Sequence, residues 1–199
     1  MHEESADQAA INACLAGDPE AFGPLVSRYQ EVAFRAAYLV VRDADTARDV
    51  AQEAFVRTYR SLRRFEPGSN FRPWLLRIVT NLALNEIRGR NRQGNLVQRL
   101  VPFLSSAGPA PDRALEQGEL QGEVWAAINA LPENDRVVLY LRHYLELPEA
   151  EIAAVIGKRP GTVKSRLSRA SARLREVIER DHPTLIPQHA RPGVQHDRP

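Results

Sequence analysis

The sequence predicts an all-α protein of two small helical domains joined by a flexible linker, the second of them a helix-turn-helix domain. Apolar residues recur at three- and four-residue spacing along most of the 199 residues, and no stretch alternates as a strand does. Residues 102–112 read PFLSSAGPAPD, which is a linker composition. Residues 148–179 combine a short helix, a tight turn and a longer helix. We therefore predict a first domain over 1–93, a linker over 94–117, a second domain over 118–180 and a disordered tail over 181–199.

Turn and capping residues divide the first domain into helices. Gly17 can end a first helix, and Asp18 with Pro19 can cap and open the next one. Residues 42–45 form a short break and residues 66–70 a turn. Helices are therefore expected over about 46–64 and about 71–88.

The helix over about 46–64 is predicted to direct a mixed face outward. This face begins with acidic side chains, carries a valine and ends with arginines, which indicates a protein-docking surface. Acids at a helix start are also expected from the helix dipole alone. The outward residues are Asp49, Gln52, Glu53, Val56, Arg57 and Arg60.

The helix over about 71–88 is predicted to carry an apolar stripe beside a polar one. The polar stripe consists of Arg77, Asn81, Asn85 and Arg88. Phe71 fits a core position, whereas Trp74 lies at the border of the stripes and fits either a core or a base-stacking role. Arginine and asparagine interleaved with aromatic residues suit unstacked, single-stranded bases.

The second domain contains the pattern of a DNA-reading unit. Ile152, Ala153 and Ile156 are predicted to be buried on a short helix, Gly157 to end it, and Thr162 to cap the next helix. That next helix would enter the major groove of DNA.

The two sides of this longer helix differ in chemistry. The inward side is apolar and consists of Val163, Leu167, Ala170, Leu174, Val177 and Ile178. The outward side is small and basic and consists of Ser165, Ser168, Arg169 and Ala172, flanked by Lys164, Arg166, Arg173 and Arg175. Small residues allow a helix to sit deep in a groove, and arginines contact phosphates or guanine. Arg142 lies on a further predicted helix, which starts at about Leu131 and precedes the helix-turn-helix, and it could contact the DNA backbone.

Charge is concentrated on two parts of the chain, although the net charge is only +2. The segment from Arg57 to Arg92 contains nine arginines and two acidic residues. The segment from Lys158 to Arg175 contains seven basic residues and no acidic ones. Two solvated helix faces would explain each cluster alone, but such faces usually mix signs. Two basic surfaces favour two contacts with a polyanion.

Several classes of protein are not favoured. A single cysteine, Cys14, allows no internal disulfide. We find no long apolar run and no signal peptide, so we expect no membrane insertion and a cytoplasmic location. There is no P-loop, no HExxH and no paired Cys ligands, so we predict no catalytic residues, no cofactor and no metal site. The tail histidines His182, His189 and His196 are too loosely placed to indicate a metal.

Two strings in the first half and one in the second resemble the extracytoplasmic-function group of bacterial RNA polymerase sigma factors. DVAQEAFVRTYRSLRRFEP (49–67) and FRPWLLRIVTNLALNEIRGRNR (71–92) resemble region 2 of that family. Residues 131–174, which contain GTVKSRL, resemble region 4. The resemblance implies a factor that binds polymerase core, directs it to specific promoters and helps to melt the DNA. Arg48, where the family usually has an acid, and Ser168, often bulkier in relatives, depart from the pattern.

The resemblance also implies roles for individual residues. A docking set would meet the clamp of the largest polymerase subunit: Asp49, Gln52, Glu53, Val56 and Arg57. A minus-ten set would melt and hold the minus-ten element: Asn70, Arg72, Trp74, Arg77, Asn81, Asn85 and Arg88. A minus-thirty-five set would read the minus-thirty-five element: Arg142, Lys164, Ser165, Ser168, Arg169 and Arg173. The linker would cross the polymerase near its active cleft, and an anti-sigma factor is a further partner that the resemblance allows.

Two other functions are compatible with parts of the sequence. A regulator that binds operators without polymerase would need only the second half, but the basic and aromatic first half suits open strands better than signal sensing. An enzyme is disfavoured by the missing motifs.

Overall fold

The computed structural model describes residues 2–100 and 117–186 of the chain, and these residues form helices and short connections without a strand. Eight α-helices occur in this part: α1 (His2–Leu15), α2 (Gly23–Val41), α3 (Ala44–Arg60), α4 (Phe71–Leu100), α5 (Gln117–Asn129), α6 (Glu133–His143), α7 (Glu149–Ile156) and α8 (Pro160–Asp181). The all-α prediction is therefore confirmed. Within the same residues, no helix has the length and apolar character needed to cross a membrane.

The N-terminal helix α1 is anchored to α2 by a buried carboxylate. Asp7 is 4% exposed and accepts hydrogen bonds from the Arg28 guanidinium and the Tyr29 hydroxyl. Burial, followed by the bond to Asp7, raises the pKa of Tyr29 above its ordinary value. Gly17 then allows the chain to turn, because its φ of 107° suits glycine.

Helices α2, α3 and α4 pack against one another and form the first core. The Asp43 carboxylate caps α3 by accepting hydrogen bonds from the Thr46 hydroxyl and from the Thr46 amide, the latter at 2.8 Å. The hydroxyl bond, followed by the amide bond, lowers the pKa of Asp43. The buried side of α4 presents Leu75, Leu76 and Val79, all 0% exposed. This packing fixes which side of α4 remains at the surface.

Helix α4 is longer than the sequence predicts. It continues through Gly94, where the linker was expected to begin, as far as Leu100. No proline follows Pro73 before residue 102, and a glycine inside a helix costs only about 1 kcal/mol relative to alanine. The rest of the predicted linker up to residue 116 lies outside the described residues.

The helix-turn-helix prediction is confirmed, with one correction at the turn. Gly157 ends α7 in the left-handed conformation, with φ of 63°, as expected. Helix α8, however, begins at Pro160, so Thr162 lies inside its first turn and is not the cap. Proline has a fixed φ and no amide hydrogen, and it therefore fits the first turn of a helix.

The sequence predicts that a disordered tail begins at residue 181, but the structure has regular elements as far as Leu185. Helix α8 includes Asp181, and Pro183–Leu185 forms a single 3₁₀ turn against α5. The Thr184 hydroxyl donates a hydrogen bond to the Glu123 carboxylate of α5, which gives this turn a partner. Residues 187–199 lie outside the described residues.

By their contacts, the described residues divide into two compact units. One comprises residues 2–100 and 140–163, and the other comprises residues 117–139 and 164–186. Residues 140–163 join the first unit because α7 packs against α4. The sequence-based domain limits at 93 and 118 follow composition and remain a prediction.

Candidate nucleic-acid interface

The docking set lies on one outward strip of α3. Asp49, Gln52, Val56 and Arg57 are exposed, and Glu53 is half-buried. The Glu53 carboxylate accepts a 2.7 Å hydrogen bond from Arg57 Nε. Val56 is 42% exposed, so an apolar side chain stands between charged ones. This arrangement is suited to a protein partner that covers the valine.

Sequence reasoning missed a second apolar residue on this strip. Tyr59 follows Val56 by three positions, so both lie on one side of α3, and Tyr59 is 41% exposed. Its ring contacts Phe22 with centroids 5.2 Å apart. The three-residue spacing was the available signal, but a tyrosine at such a position is ordinarily assigned to the core.

The polar stripe of α4 is placed as predicted. Arg77, Asn81, Asn85 and Arg88 are all exposed, on the side opposite the buried stripe of the helix. Asn81 and Asn85 also line a groove of about 500 Å³ between α3 and α4. Arg57 of the docking set lines the same groove, so the structure brings one docking residue beside two residues of the minus-ten set.

The start of α4 holds two members of the minus-ten set in structural contacts. The Asn70 carboxamide accepts a 3.1 Å hydrogen bond from the Arg72 amide and thereby caps the first turn. The Arg72 guanidinium donates to the Leu145 carbonyl at 3.4 Å and lies 3.8 Å from the Glu151 carboxylate of α7. Oε2 of Glu151 is buried and accepts no hydrogen bond from the described residues.

A second arginine of α4 also contacts the end of α7. A Cβ placed on Gly157 would lie 3.0 Å from the Arg77 guanidinium, so the side chain of Arg77 passes close to that glycine. Both arginines at the start of the minus-ten set, Arg72 and Arg77, are therefore in contact with residues that follow α6.

Trp74 combines packing with partial exposure. Its ring centroid lies 5.0 Å from that of Phe65 and 5.9 Å from that of Phe71, and the side chain is half-buried. Phe71 is 2% exposed, as expected for a core residue. A base-stacking role for Trp74 would use only the part of the ring left uncovered by these two phenylalanines.

Helix α8 separates its two faces as the sequence predicts. Its buried residues are Val163, Ala170 and Val177, and its half-buried apolar residues are Leu167, Leu174 and Ile178. The central outward residues are all exposed: Lys164, Ser165, Ser168 and Arg169. A basic face with small residues at its centre has the shape and charge to enter a major groove.

Two arginines of the minus-thirty-five set have intramolecular partners. Arg142 donates a 3.2 Å hydrogen bond to the Leu147 carbonyl, which links the end of α6 to the segment before α7. Arg173 forms an ion pair with Asp135 of α6, whose side chain is 9% exposed. Asp135 was not singled out by the sequence, because an acid in the first turn of a helix is unremarkable there.

Among the described residues, no group of histidine, cysteine, aspartate and glutamate is placed to hold a metal ion. The side chains that carry chemistry are instead arginine, lysine, asparagine and serine on helix surfaces. Side chains of these types can bind phosphates and base edges.

Both halves of the chain match known protein families. Residues 25–93 match the family described as Sigma-70 region 2, and residues 121–174 match Sigma-70, region 4. The chain is 35% identical over 188 residues to the RNA polymerase sigma-H factor of Pseudomonas aeruginosa, covering 90% of this chain and 95% of that one. It is 34% identical over 194 residues to the ECF RNA polymerase sigma-E factor of Escherichia coli, covering 94% and 99% respectively.

A solved structure is also similar. It contains the sigma factor RpoE in complex with the anti-sigma factor NepR from Bartonella quintana. The TM-score is 0.60 at 26% identity, and the match covers 80% of this chain and 98% of that one.

Proposed function

This chain belongs to the extracytoplasmic-function group of bacterial RNA polymerase sigma factors, and we propose that three helices carry its three tasks. The chain binds polymerase core, directs it to specific promoters and helps to melt the DNA at initiation. In this proposal α3 docks on the polymerase clamp through the docking set. Helix α4 holds the opened minus-ten element through the minus-ten set, and α8 with Arg142 reads the minus-thirty-five element.

The observation that carries the assignment is the exposed polar stripe of α4. Arg77, Asn81, Asn85 and Arg88 stand on the surface of a helix whose other side is buried. An operator-binding regulator needs the helix-turn-helix formed by α7 and α8. It does not need a surface of arginine and amide groups suited to unpaired bases. The combination of this stripe with the basic face of α8 favours a sigma factor.

The sequence-based domain limits fit the same proposal. The predicted limits give a minus-ten domain over 1–93, a connecting segment over 94–117 and a minus-thirty-five domain over 118–180. This division would allow α4 and α8 to reach two separated promoter elements. We further propose a cytoplasmic location, where core and chromosome are found, an anti-sigma factor as a partner and no enzymatic activity. The Bartonella quintana complex supports the anti-sigma partner.

Transcription with purified components tests the proposal. Polymerase core is incubated with genomic DNA in the presence and absence of the chain, and the transcripts are sequenced. We expect new start sites that share two elements upstream, and co-purification of the chain with core. Binding of duplex operators without any association with core would support the regulator and contradict the sigma assignment.

A further inference from the structure

We propose that α1 orients the minus-ten surface, with Asp7 and Gln8 holding the turn at 66–69 and the start of α4 in the position that meets DNA. This inference rests on the proposed function and extends it to a helix that contains no member of the three sets. Asp7 and Gln8 are positioning residues in this proposal, because they reach the first members of the minus-ten set only through other residues.

The turn before α4 is closed by its own backbone and is held by α1. The Ser69 amide donates to the Glu66 carbonyl at 3.0 Å, and the φ of 80° at Gly68 suits glycine at the third position of a type II turn. The Gly68 amide donates to Oε1 of Gln8 at 3.5 Å. Helix α1 also packs against the 3₁₀ turn Leu62–Arg64, which precedes this segment.

The Gln8 carboxamide is held at both of its ends. Its Nε2 donates to Oδ1 of Asn12, one turn later in α1, at 3.0 Å. The other end accepts from the Gly68 amide, so donor and acceptor each have a partner that fixes the orientation of the group. A half-buried glutamine therefore connects α1 to the backbone of the turn.

A second connection runs from Asp7 through the core to the first residue of α4. The buried Asp7 carboxylate accepts a hydrogen bond from the Tyr29 hydroxyl, and the ring centroids of Tyr29 and Phe71 are 5.3 Å apart. The Phe71 ring in turn lies 6.0 Å from that of Phe65 and 5.9 Å from that of Trp74, centroid to centroid. Direct contacts therefore connect α1 with a member of the minus-ten set.

The polar character of these contacts favours an orienting role over simple packing. Ile11, 1% exposed, already joins α1 to the apolar core. A buried ion pair is often no more stabilising than apolar residues of similar volume, whereas hydrogen bonds restrict direction as well as distance. The bonds of Asp7 to Arg28 and Tyr29 therefore determine where α1 lies more than how stable the domain is.

The main alternative is that α1 only covers the core. Replacing the polar pair by apolar residues, Asp7→Leu with Tyr29→Phe, separates the two roles. Removing both partners of a hydrogen bond leaves neither of them buried and unpaired, and Arg28, whose side chain is 34% exposed, can turn to water. Urea unfolding of the full chain should therefore give a midpoint close to that of the wild type.

The position of Trp74 is measured first, in the free full chain without DNA. Trp125→Phe removes the other tryptophan, so that all tryptophan fluorescence comes from Trp74. In this background we expect acrylamide to quench Trp74 more strongly in the double variant and in Gln8→Met than in the wild type, because the start of α4 is less constrained. Equal quenching in all three chains would overturn the proposal.

The effect on DNA is measured with holoenzyme assembled from polymerase core and the full chain, on a promoter mapped by transcript sequencing. We expect the double variant and Gln8→Met to bind fork DNA with an exposed minus-ten strand about three- to tenfold more weakly, which corresponds to one or two lost hydrogen bonds. Affinity for core and for a duplex that carries only the minus-thirty-five element should not change. Gln8→Glu keeps an acceptor for the Gly68 amide and should retain wild-type affinity for the fork.

Two substitutions are matched controls. Tyr38→Phe removes a hydroxyl from an exposed position of α2, the helix that carries Tyr29. Ser5→Ala removes a hydroxyl from an exposed position of α1. Neither should change the quenching of Trp74 or the affinity for the fork.

The contrary results differ from one another. Wild-type affinity for the fork in a double variant of wild-type stability would show that α1 only covers the core. Should the double variant unfold, Gln8→Met at its half-buried position decides the question, and an equal loss of affinity for core and for both DNA probes would overturn the proposal. A wild-type holoenzyme that does not distinguish the fork from unrelated DNA would instead overturn the proposed function, whatever the quenching of Trp74 shows.

Discussion

Two arginines of α8 have different surroundings although both belong to the minus-thirty-five set. Arg169 is exposed, and its Nε donates to the Ser165 carbonyl one turn earlier at 3.3 Å. Its terminal nitrogens bond to no described residue. Arg173 is half-exposed and forms an ion pair with the buried Asp135. The first side chain is therefore available to a base, whereas the second also has a structural partner.

For Arg169→Ala we expect relaxed preference at one base pair of the minus-thirty-five element. A bidentate contact between arginine and guanine contributes about 1–3 kcal/mol of discrimination, and only that position should lose it. The measurement is the affinity of holoenzyme containing the full chain for single-base variants of the element.

Arg173→Ala should instead lower the affinity for all sequences by about the same factor and flatten its salt dependence. Equal weakening of every variant by Arg169→Ala would exclude a base-reading role.

For Arg173→Ala we also expect a loss of stability. The substitution leaves the carboxylate of Asp135 buried without its cationic partner, at a cost of about 1–3 kcal/mol in the free energy of unfolding. Denaturant unfolding of the full chain measures this. Arg175→Ala is the control, because Arg175 is exposed and has no described partner. Equal stability of the two variants would show that the ion pair contributes nothing.

Contacts of this kind could not be predicted from the sequence. Periodicity identified the buried faces of α3, α4 and α8, because each face is a property of one helix. The partners of Asp7, Arg72 and Arg173 lie 21, 79 and 38 positions away in the chain. Pairing over such separations depends on how the helices pack, and local spacing carries no information about it.

At the scale of helices, α3 offers a test of polymerase docking. Gln52→Ala combined with Glu53→Arg changes the polarity of the docking set and breaks the ion pair to Arg57. That pair is half-exposed and contributes at most about 1 kcal/mol, so the fold should persist. We expect affinity for core, measured by fluorescence titration, to fall about tenfold. Arg48→Ala, on an exposed position of the same helix, serves as the control. Unchanged affinity of the double variant would remove α3 from the interface.

Helix α4 offers a test of melting. Arg77→Ala and Asn81→Ala should impair transcription from a duplex promoter more than from one with a pre-opened bubble, because the bubble removes the opening step. Arg169→Ala acts on the minus-thirty-five duplex and should impair both templates equally. Trp74→Ala is unsuitable, since Trp74 packs on Phe65 and Phe71 and its loss could cost about 3–5 kcal/mol of stability. Equal defects of the α4 variants on both templates would assign them to another step.

The helix ends were harder to predict than the helix faces. Gly157 was located correctly because a left-handed residue after a helix favours glycine. Thr162 was assigned as a cap by its hydroxyl, but Pro160 already opens α8. The sequence predicts that the helix ends near Arg88 and that a linker begins at Gly94, but α4 continues to Leu100, because one glycine inside a helix costs only about 1 kcal/mol. Composition sets a preference at such positions, and the neighbouring structure decides the outcome.

In the chain as a whole, α7 lies against the part of α4 that carries Arg72 and Arg77. Glu151→Gln removes the carboxylate facing Arg72, and we expect the free chain to bind a single-stranded minus-ten oligonucleotide a few-fold more tightly. Glu149→Gln is the control, because it removes one negative charge from an exposed position of α7. It measures how much the change in net charge alone raises affinity for DNA. Equal gains from both substitutions would show that only net charge matters. Titration with labelled oligonucleotide distinguishes the two results.

If Arg72 and Arg77 bind the minus-ten element as proposed, their contact with α7 would make the chain a tethered competitor of its own DNA ligand. Dilution separates two molecules but not two helices of one chain, so the strength of this competition does not depend on how much protein is present. The apparent dissociation constant for DNA equals the intrinsic one divided by the fraction of chains in which the arginines are uncovered. A partner that binds only chains whose arginines are uncovered would therefore raise the chain's affinity for DNA without contacting the DNA. DNA would raise the chain's affinity for that partner by the same factor.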